Sequence, residues 1–255
     1  MRRSGKITSS VLTGLMKAAK AGMSTAELDA MAERGIRERG GIPTFKGYHG
    51  FTGSICASVN DEVVHGIPGG RILKDGDLLS IDIGTTFEGY VSDSAATVAI
   101  GNISSAAKRL MDVTQECLMV GIAAMQAGNH VGDIGAAVQE HAEKNGYGVV
   151  RELVGHGVGR QMHEEPQVPN YGKAGTGAEM RPGLVLAIEP MITEGKHAVK
   201  ILKDGWTVVT ADGKLAAHFE HTIAVTEEGP KILTLRDFAE HPDVELYRPP
   251  QEAIA

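Results

Sequence analysis

Apolar residues recur along this chain with two periods, and the switches between them mark out the elements. After Met23 they fall at Leu28, Met31 and Ile36, on one face of a helix. Ser24 and Glu27 form a capping box before that face, and Gly40-Gly41 stops it, which predicts a helix over "STAELDAMAERGIRERGG". Further helical patterns run from about Ser105 to Gln126 and from about Ile134 to Lys144, the second closed by Asn145-Gly146. Short β-like runs fall at "SICASV", "LLSIDIG", "YVSDSAATVAI", "LVLAIEPMI", "TVVT" and "FEHTIAVT", bounded by Asp-Gly, Pro-Gly and Glu-Gly turn signals. Helices and strands therefore mix, and the class is α/β or α+β. The tail after Pro242 is expected to be mobile.

Two of these segments resemble each other. "GDLLSIDIG" leads through a turn to "YVSDSAATVAI", and "PGLVLAIEP" leads, after a longer insertion, to "HFEHTIAVT". Each half gives a buried-looking strand bearing an acid and then a second one: Asp82 with Asp93, and Glu189 with Glu220. A chain of 255 residues fits one domain or two fused halves, so a single catalytic domain over 1–255 with a boundary near 120–130 is expected.

Composition narrows the function classes. A net charge of −7 and a pI near 5.8 provide no overall field for nucleic acid, so no direct nucleic-acid readout is expected. The basic residues Arg2, Arg3, Lys6, Lys17 and Lys20 precede the first acid, Glu27; they fit either a transit peptide or the solvent face of an amphipathic helix. No apolar run approaches the ~18 residues of a membrane span. Two cysteines, Cys56 and Cys117, are too few for a disulfide framework or a four-thiolate zinc site, and the expected compartment is a reducing cytoplasm.

The stretch "LVGHGVGRQMHEEP", 153–166, places Gly155, Gly157 and Gly159 in what reads as a loop, but it lacks both the dinucleotide and the P-loop spacing. His156 and His163 are seven residues apart, about two turns even if helical, so their partners must come from elsewhere. The four strand acids supply candidates, because an acid inside an apolar strand is costly to bury unless paired, protonated or bound to a cation. On adjacent antiparallel strands Asp82 and Asp93 direct their carboxylates to one face. Four carboxylates and one imidazole suit two divalent cations, with oxygen-rich ligation favouring Mn, Fe or Co and leaving Zn open.

The series "HGIP" (65–68), "DIGTTFEGYVSD" (82–93), "GHGVGRQMHEEP" (155–166), "IEPM" (188–191) and "FEHT" (219–222) resembles the type I, bacterial-like methionine aminopeptidases over nearly the whole chain. The resemblance implies a pseudo-twofold pita-bread fold, an antiparallel sheet with flanking helices. It implies metal ligation by Asp82, Asp93, His156, Glu189 and Glu220, with Asp93 and Glu220 bridging. It further implies a water or hydroxide between the two metals that attacks the carbonyl next to an N-terminal methionine, with Glu189 as proton acceptor and His65 and His163 contacting the substrate amide and carbonyl. By motif position the methionine pocket comprises Tyr48, Phe51, Cys56, His65, Met162, His163 and Trp206. Implied partners are the N-terminal methionine of nascent chains and the ribosome surface, with the protein a monomer.

The chain departs from that pattern at Met162, where several relatives carry an aromatic residue, and at His218, where many carry glutamine. It also begins where the family's first helix is already under way, and it has neither a cysteine-rich extension nor a large insertion before "FEHT", features of the eukaryotic-like and type II forms. Two other readings remain: a proline-specific aminopeptidase or dipeptidase of the same fold, and a non-catalytic binding protein. Serine hydrolysis is disfavoured, since Ser92 and Ser94 lack a Gly-x-Ser-x-Gly elbow.

Overall fold

The computed structural model describes residues 1–236. The expectation for the tail after Pro242 lies outside the described residues. Four α-helices are formed among them: α1 (Arg2–Ala18), α2 (Thr25–Glu38), α3 (Ser105–Ala124) and α4 (Val131–Lys144). In α1 the basic residues Arg2, Arg3, Lys6 and Lys17 face solvent while Ile7, Val11, Leu12, Leu15 and Met16 are buried, which is the amphipathic-helix alternative. The α2 capping box forms as read: Glu27 N donates to Ser24 Oγ at 3.2 Å, and Ser24 N donates to Glu27 Oε2 at 2.7 Å. Helix α4 starts three residues before the predicted Ile134, because Asp133 accepts from His130 N at 2.7 Å and caps an earlier turn.

In the first half, the strand Leu78–Phe87 pairs along its whole length with Tyr90–Ala99, and Ile55–Val59 pairs on its other side. Alternation puts Ile55, Ala57, Val59, Leu79, Ile81, Ile83, Ala96 and Val98 on one face. Helices α1 and α2 cover that face, and these residues join Leu12, Leu15, Leu28 and Ile36 in the largest buried cluster. The opposite face carries Cys56, Ser80, Asp82, Asp93, Ala95 and Thr97 and turns toward the second half.

The second half is built on the same hairpin plan, but with interruptions that the sequence pattern does not reveal. "LVLAIEPMI" divides into Val185–Ile188 and Met191–Thr193, while in "FEHTIAVT" the strand His221–Thr226 begins only after Phe219 and Glu220, which separate it from a further strand, Ala216–His218. Glu189 and Glu220 therefore sit at strand breaks and not within strands. Two causes are visible: Pro190 has no N–H for a ladder, and the Glu220 N–H is taken by Ala95 O of the first half at 2.9 Å. Pairing resumes in one register across the gap, Ile188 with His221 and Met191 with His218, so Glu189 and Glu220 lie opposite each other. Helices α3 and α4 pack on the outside of this half through Leu110, Val113, Cys117, Val138 and Ala142.

The two hairpins meet edge to edge through hydroxyl groups. Thr222 Oγ1 accepts from Asp93 N at 2.9 Å and donates to Asp93 O at 2.8 Å. Thr97 Oγ1 makes the equivalent pair with His218 N and O, at 2.9 and 3.0 Å. Ser94 Oγ donates to Glu220 O at 2.8 Å. Side-chain hydroxyls thus replace a backbone ladder where the strands of the two halves diverge. Replacing Thr222 by valine keeps the shape but strands a buried N–H; Thr222→Val is expected to cost roughly 1–3 kcal/mol in urea unfolding with an unchanged far-ultraviolet spectrum. A loss below about 0.5 kcal/mol, the scale of surface substitutions, would refute this role for the junction.

Candidate metal centre and substrate cavity

Strand register alone assembles the acids. Asp82 pairs with Ala95 and Asp93 with Gly84, so the two carboxylates are diagonal neighbours on one face. His156 lies opposite Ala187, and Glu189, two residues on, shares the face of Ala187; those two are diagonal neighbours in the other half. Glu220 stands in the same relation to Thr222, which is also opposite Ala187. The junction hydroxyls then bring the two diagonal pairs together. Asp93, His156 and Glu220 place ligand atoms within 4.8 Å of one another, and Glu189 Oε1 is 3.6 Å from His156 Nε2.

His156 is on a strand, Gly155–Gly157, where the sequence suggested a loop. The flanking glycines permit close approach of neighbouring backbone: a Cβ on Gly155 would stand 2.4 Å from Ala187 O, and one on Gly157 would stand 2.3 Å from Glu165 O. Seven residues separate His156 from His163, yet the turn between them folds back and packs the rings against each other, centroids 4.3 Å apart and planes tilted by 58°. His156 Nδ1 donates to Gly157 O at 2.8 Å, which leaves the Nε2 lone pair facing the acids.

The electrostatics are those of charge without compensation. Burial, opposed by hydrogen bonds, pushes Asp82 up to about 7. Asp93, Glu189 and Glu220 are pushed well above the carboxylate range, first by burial and then by one another's charge. Burial lowers His156 to about 4, His65 to about 4 and His218 to about 3, so the nearby imidazoles are neutral and offset nothing. Asp82 Oδ1 and Glu220 Oε1 are buried without a hydrogen-bond partner. Orphaned carboxylate oxygens around one free imidazole nitrogen form a donor set that fits a divalent cation.

A cavity of about 170 Å³ opens beside these groups, lined by all five candidate ligands and by Tyr48, Phe51, Cys56, His65, Met162, His163 and Trp206. The structure thus brings every sequence-derived candidate to one space. Register again explains the walls. Cys56 pairs directly with Asp82. Val64 pairs with Val208, which brings His65 and Trp206 together with centroids 6.3 Å apart; Trp206 also meets Phe51 edge-on at 5.1 Å. Burial holds the Cys56 thiol well above its ordinary value, consistent with a wall and not a nucleophile. His65 carries a left-handed backbone (φ 60), unusual for a side chain with a Cβ and typical of functional sites.

Sequence reasoning missed several participants. Phe45 lines the cavity and could have been suspected from "TFKGYHGF", since the chain has only five phenylalanines. Asn170 Nδ2 donates to Glu189 O at 3.0 Å and fixes the backbone at the strand break. Arg236 is buried behind the acids, donating to Ala95 O at 2.8 Å, and is a fixed cation that lowers Glu220 against the other influences on it. The only hint of it was one cation in the apolar run "ILTLRDF". His218 lies 3.8 Å from Glu189 Oε2, with both ring nitrogens unpartnered.

A model of metallopeptidase family M24 matches residues 1–227. Methionine aminopeptidase 1 of Bacillus subtilis is 54% identical over 234 residues, which is 92% of this chain and 94% of that protein. The methionine aminopeptidase of Clostridium acetobutylicum is 51% identical over 236 residues, again 92% and 94%. The crystal structure of methionine aminopeptidase from Thermotoga maritima matches with a TM-score of 0.91 at 42% identity, covering 93% of this chain and 95% of that one. Prolidase from Pyrococcus furiosus shares the pita-bread fold alone, with a TM-score of 0.74 at 20% identity over 92% of this chain and 63% of its own.

The shifted groups dictate how the metal-free protein responds to pH. Carboxylates raised in the fold give stability that is present at low pH and lost as pH rises through about 7 for Asp82 and beyond for the others. The buried histidines act oppositely, losing stability as pH falls from 6.5 through about 4, so above 6.5 they contribute no slope. One partly buried N-terminal ammonium, lowered from 8.0, opposes the carboxylates there. Chelator-treated protein is therefore expected to lose melting temperature as pH rises from 6.5, and saturating Mn(II) or Co(II) to abolish that slope. A flat profile without metal would show that the acids are not charged against one another.

Proposed function

The chain belongs to metallopeptidase family M24 and acts as a methionine aminopeptidase, and on that footing we propose that Asp82, Asp93, His156, Glu189 and Glu220 hold two divalent cations beside a methionine-binding cavity. The observation that carries this reading is the convergence of those side chains, with orphaned carboxylate oxygens, on one wall of a cavity whose other walls are apolar. When bound, divalent cations supply positive charge that acidifies water and stabilises negative charge on a carbonyl oxygen. The oxygen-rich donor set favours Mn, Fe or Co over Zn.

The chain's own groups do the rest. Glu189 Oε accepts the proton of the attacking water and returns it to the leaving amine, a task suited to a carboxylate whose proton affinity burial has raised. His65 and His163 line the cavity next to the acids and hold the amide and carbonyl of the scissile bond. Tyr48, Phe51, Cys56, Met162 and Trp206 enclose the unbranched thioether side chain, with Phe45 completing the wall. The substrate's free α-amine is attracted to the acidic centre, which restricts cleavage to the first residue. Among the described residues no helix is long and apolar enough to cross a membrane. A cytoplasmic monomer that meets nascent chains as they leave the ribosome is the setting we propose.

Cleavage of Met-Ala-Ser, with Leu-Ala-Ser and Met-Pro-Ser as controls, tests the reading by mass spectrometry after metal removal and readdition of Mn(II) or Co(II). Metal-dependent release of methionine from Met-Ala-Ser alone is expected; bound metal without cleavage would return the protein to the non-catalytic alternative. Glu189→Ala should remove turnover by at least the roughly 10²–10⁴-fold of a lost general base, and near-wild-type activity would sink the mechanism. His65→Ala should lower kcat with metal content unchanged; an empty site would instead make His65 a ligand.

A further inference from the structure

Tyr48 is presented to the cavity by an unusually constrained turn. Gly47 and Gly50 both adopt left-handed backbone (φ +89), and His49 between them does so too (φ 46) although it has a Cβ. The turn is closed by Tyr48 N to Phe45 O at 2.9 Å, Gly47 N to Phe51 O at 2.8 Å and Phe51 N to Tyr48 O at 2.9 Å. The His49 ring packs edge-on against Tyr48, centroids 4.3 Å apart at 70°. An aromatic wall needs only the ring; this arrangement also fixes where the hydroxyl points.

The Tyr48 hydroxyl lies 2.7 Å from His163 Nδ1, its one hydrogen-bond partner among the described residues. Burial raises the Tyr48 phenol above its ordinary value, so the hydroxyl keeps its proton. With that proton in the 2.7 Å contact, the phenol donates and His163 Nδ1 accepts. A neutral imidazole that accepts at Nδ1 bears its proton on Nε2. That nitrogen is on the far side of the ring from Tyr48, has no protein partner among the described residues, and belongs to a ring that lines both the cavity and an adjoining pocket.

We propose that Tyr48 is a positioning residue: its hydroxyl fixes both the angle of the His163 ring and its Nε2–H tautomer, so that His163 offers the substrate carbonyl a donor and never a lone pair. The destination of that donor rests on the aminopeptidase reading, while the tautomer rests on the Tyr48–His163 contact alone. Loss of the hydroxyl leaves the ring free to turn and to populate the Nδ1–H form, whose Nε2 lone pair repels a carbonyl oxygen. Tyr48→Phe preserves the wall and removes only this control.

Two measurements test it. In chelator-treated protein labelled with 15N-histidine, long-range 1H–15N spectra, assigned with His163→Asn, should show His163 as Nε2–H alone and should move toward averaged shifts in Tyr48→Phe. With Mn(II) restored, Tyr48→Phe should lower kcat on Met-Ala-Ser about 10-fold, the lower end for losing a partner that orients a ligand-like histidine, and leave KM within about twofold. In a His163→Asn background the same change should cost nothing further. Unchanged His163 signals in Tyr48→Phe, or an equal loss of kcat in both backgrounds, would overturn the proposal. Absence of methionine release by the parent protein would strike the aminopeptidase reading, and the spectra would still decide the Tyr48–His163 relation.

Discussion

Four carboxylates enclosed together are the constraint on which this structure turns. An unpaired buried charge costs several kcal/mol even after relaxation, and here Asp93, Glu189 and Glu220 also feel the charge of neighbouring acids. The protein offers them little relief. The imidazoles beside them are neutral, and Arg236, the buried cation behind Glu220, donates to Ala95 O, Glu220 O and Ser94 Oγ and, among the described residues, to none of the carboxylates. Burial and mutual charge favour protons on the cluster, and its orphaned oxygens form a donor set of the kind a divalent cation takes. The fold therefore stores an electrostatic demand that bears on stability as well as on chemistry.

Holding such a cluster requires rigidity from both halves at once. A hairpin carries side chains on alternate faces, so one apolar face can anchor on α1 and α2 while the other presents Asp82, Asp93 and Cys56. The second half repeats the device and interrupts it at Glu189 and Glu220. At those breaks the main chain finds partners outside the ladder, Glu220 N bonding across to Ala95 O of the first half and Glu189 O accepting from the Asn170 side chain. Thr97, Thr222 and Ser94 complete the seam with hydroxyls that serve as donor and acceptor in a small volume. The acids and the residues that fix them are thus adjacent in sequence, and a change at the seam reaches the site directly.

The apolar side of the cavity follows a different rule. Its walls are aromatic and sulfur-containing side chains drawn from loops and strand ends, packed as a small buried cluster of their own around Phe45, Phe51, Cys56 and Met162. That separation lets the cavity wall vary without disturbing the acids: Met162 closes the wall while being itself 7% exposed. Two residues of this side, His49 and His65, adopt left-handed backbone despite bearing a Cβ, a local cost that surrounding contacts must hold in place.

The sequence alone determined the elements and the chemistry of the donors. Period and capping signals located α2 through Ser24 and Glu27, alternation located the hairpin around Asp82 and Asp93, and the presence of acids in apolar runs pointed to a cation, because these are consequences of neighbouring residues along the chain. Pro190 wrote one strand break into the sequence, whereas tertiary structure alone decided the other, since the capture of the Glu220 N–H by Ala95 depends on a strand more than a hundred residues away. Tertiary structure decided too that His156 and His163 pack together, that Asn170 and Arg236 stand behind the acids, and that Tyr48 meets His163. Local propensity encodes direction and period; which diagonal pairs of side chains converge is set by register and by the junction of two sheets, and those arise only when distant segments compete for the same hydrogen bonds.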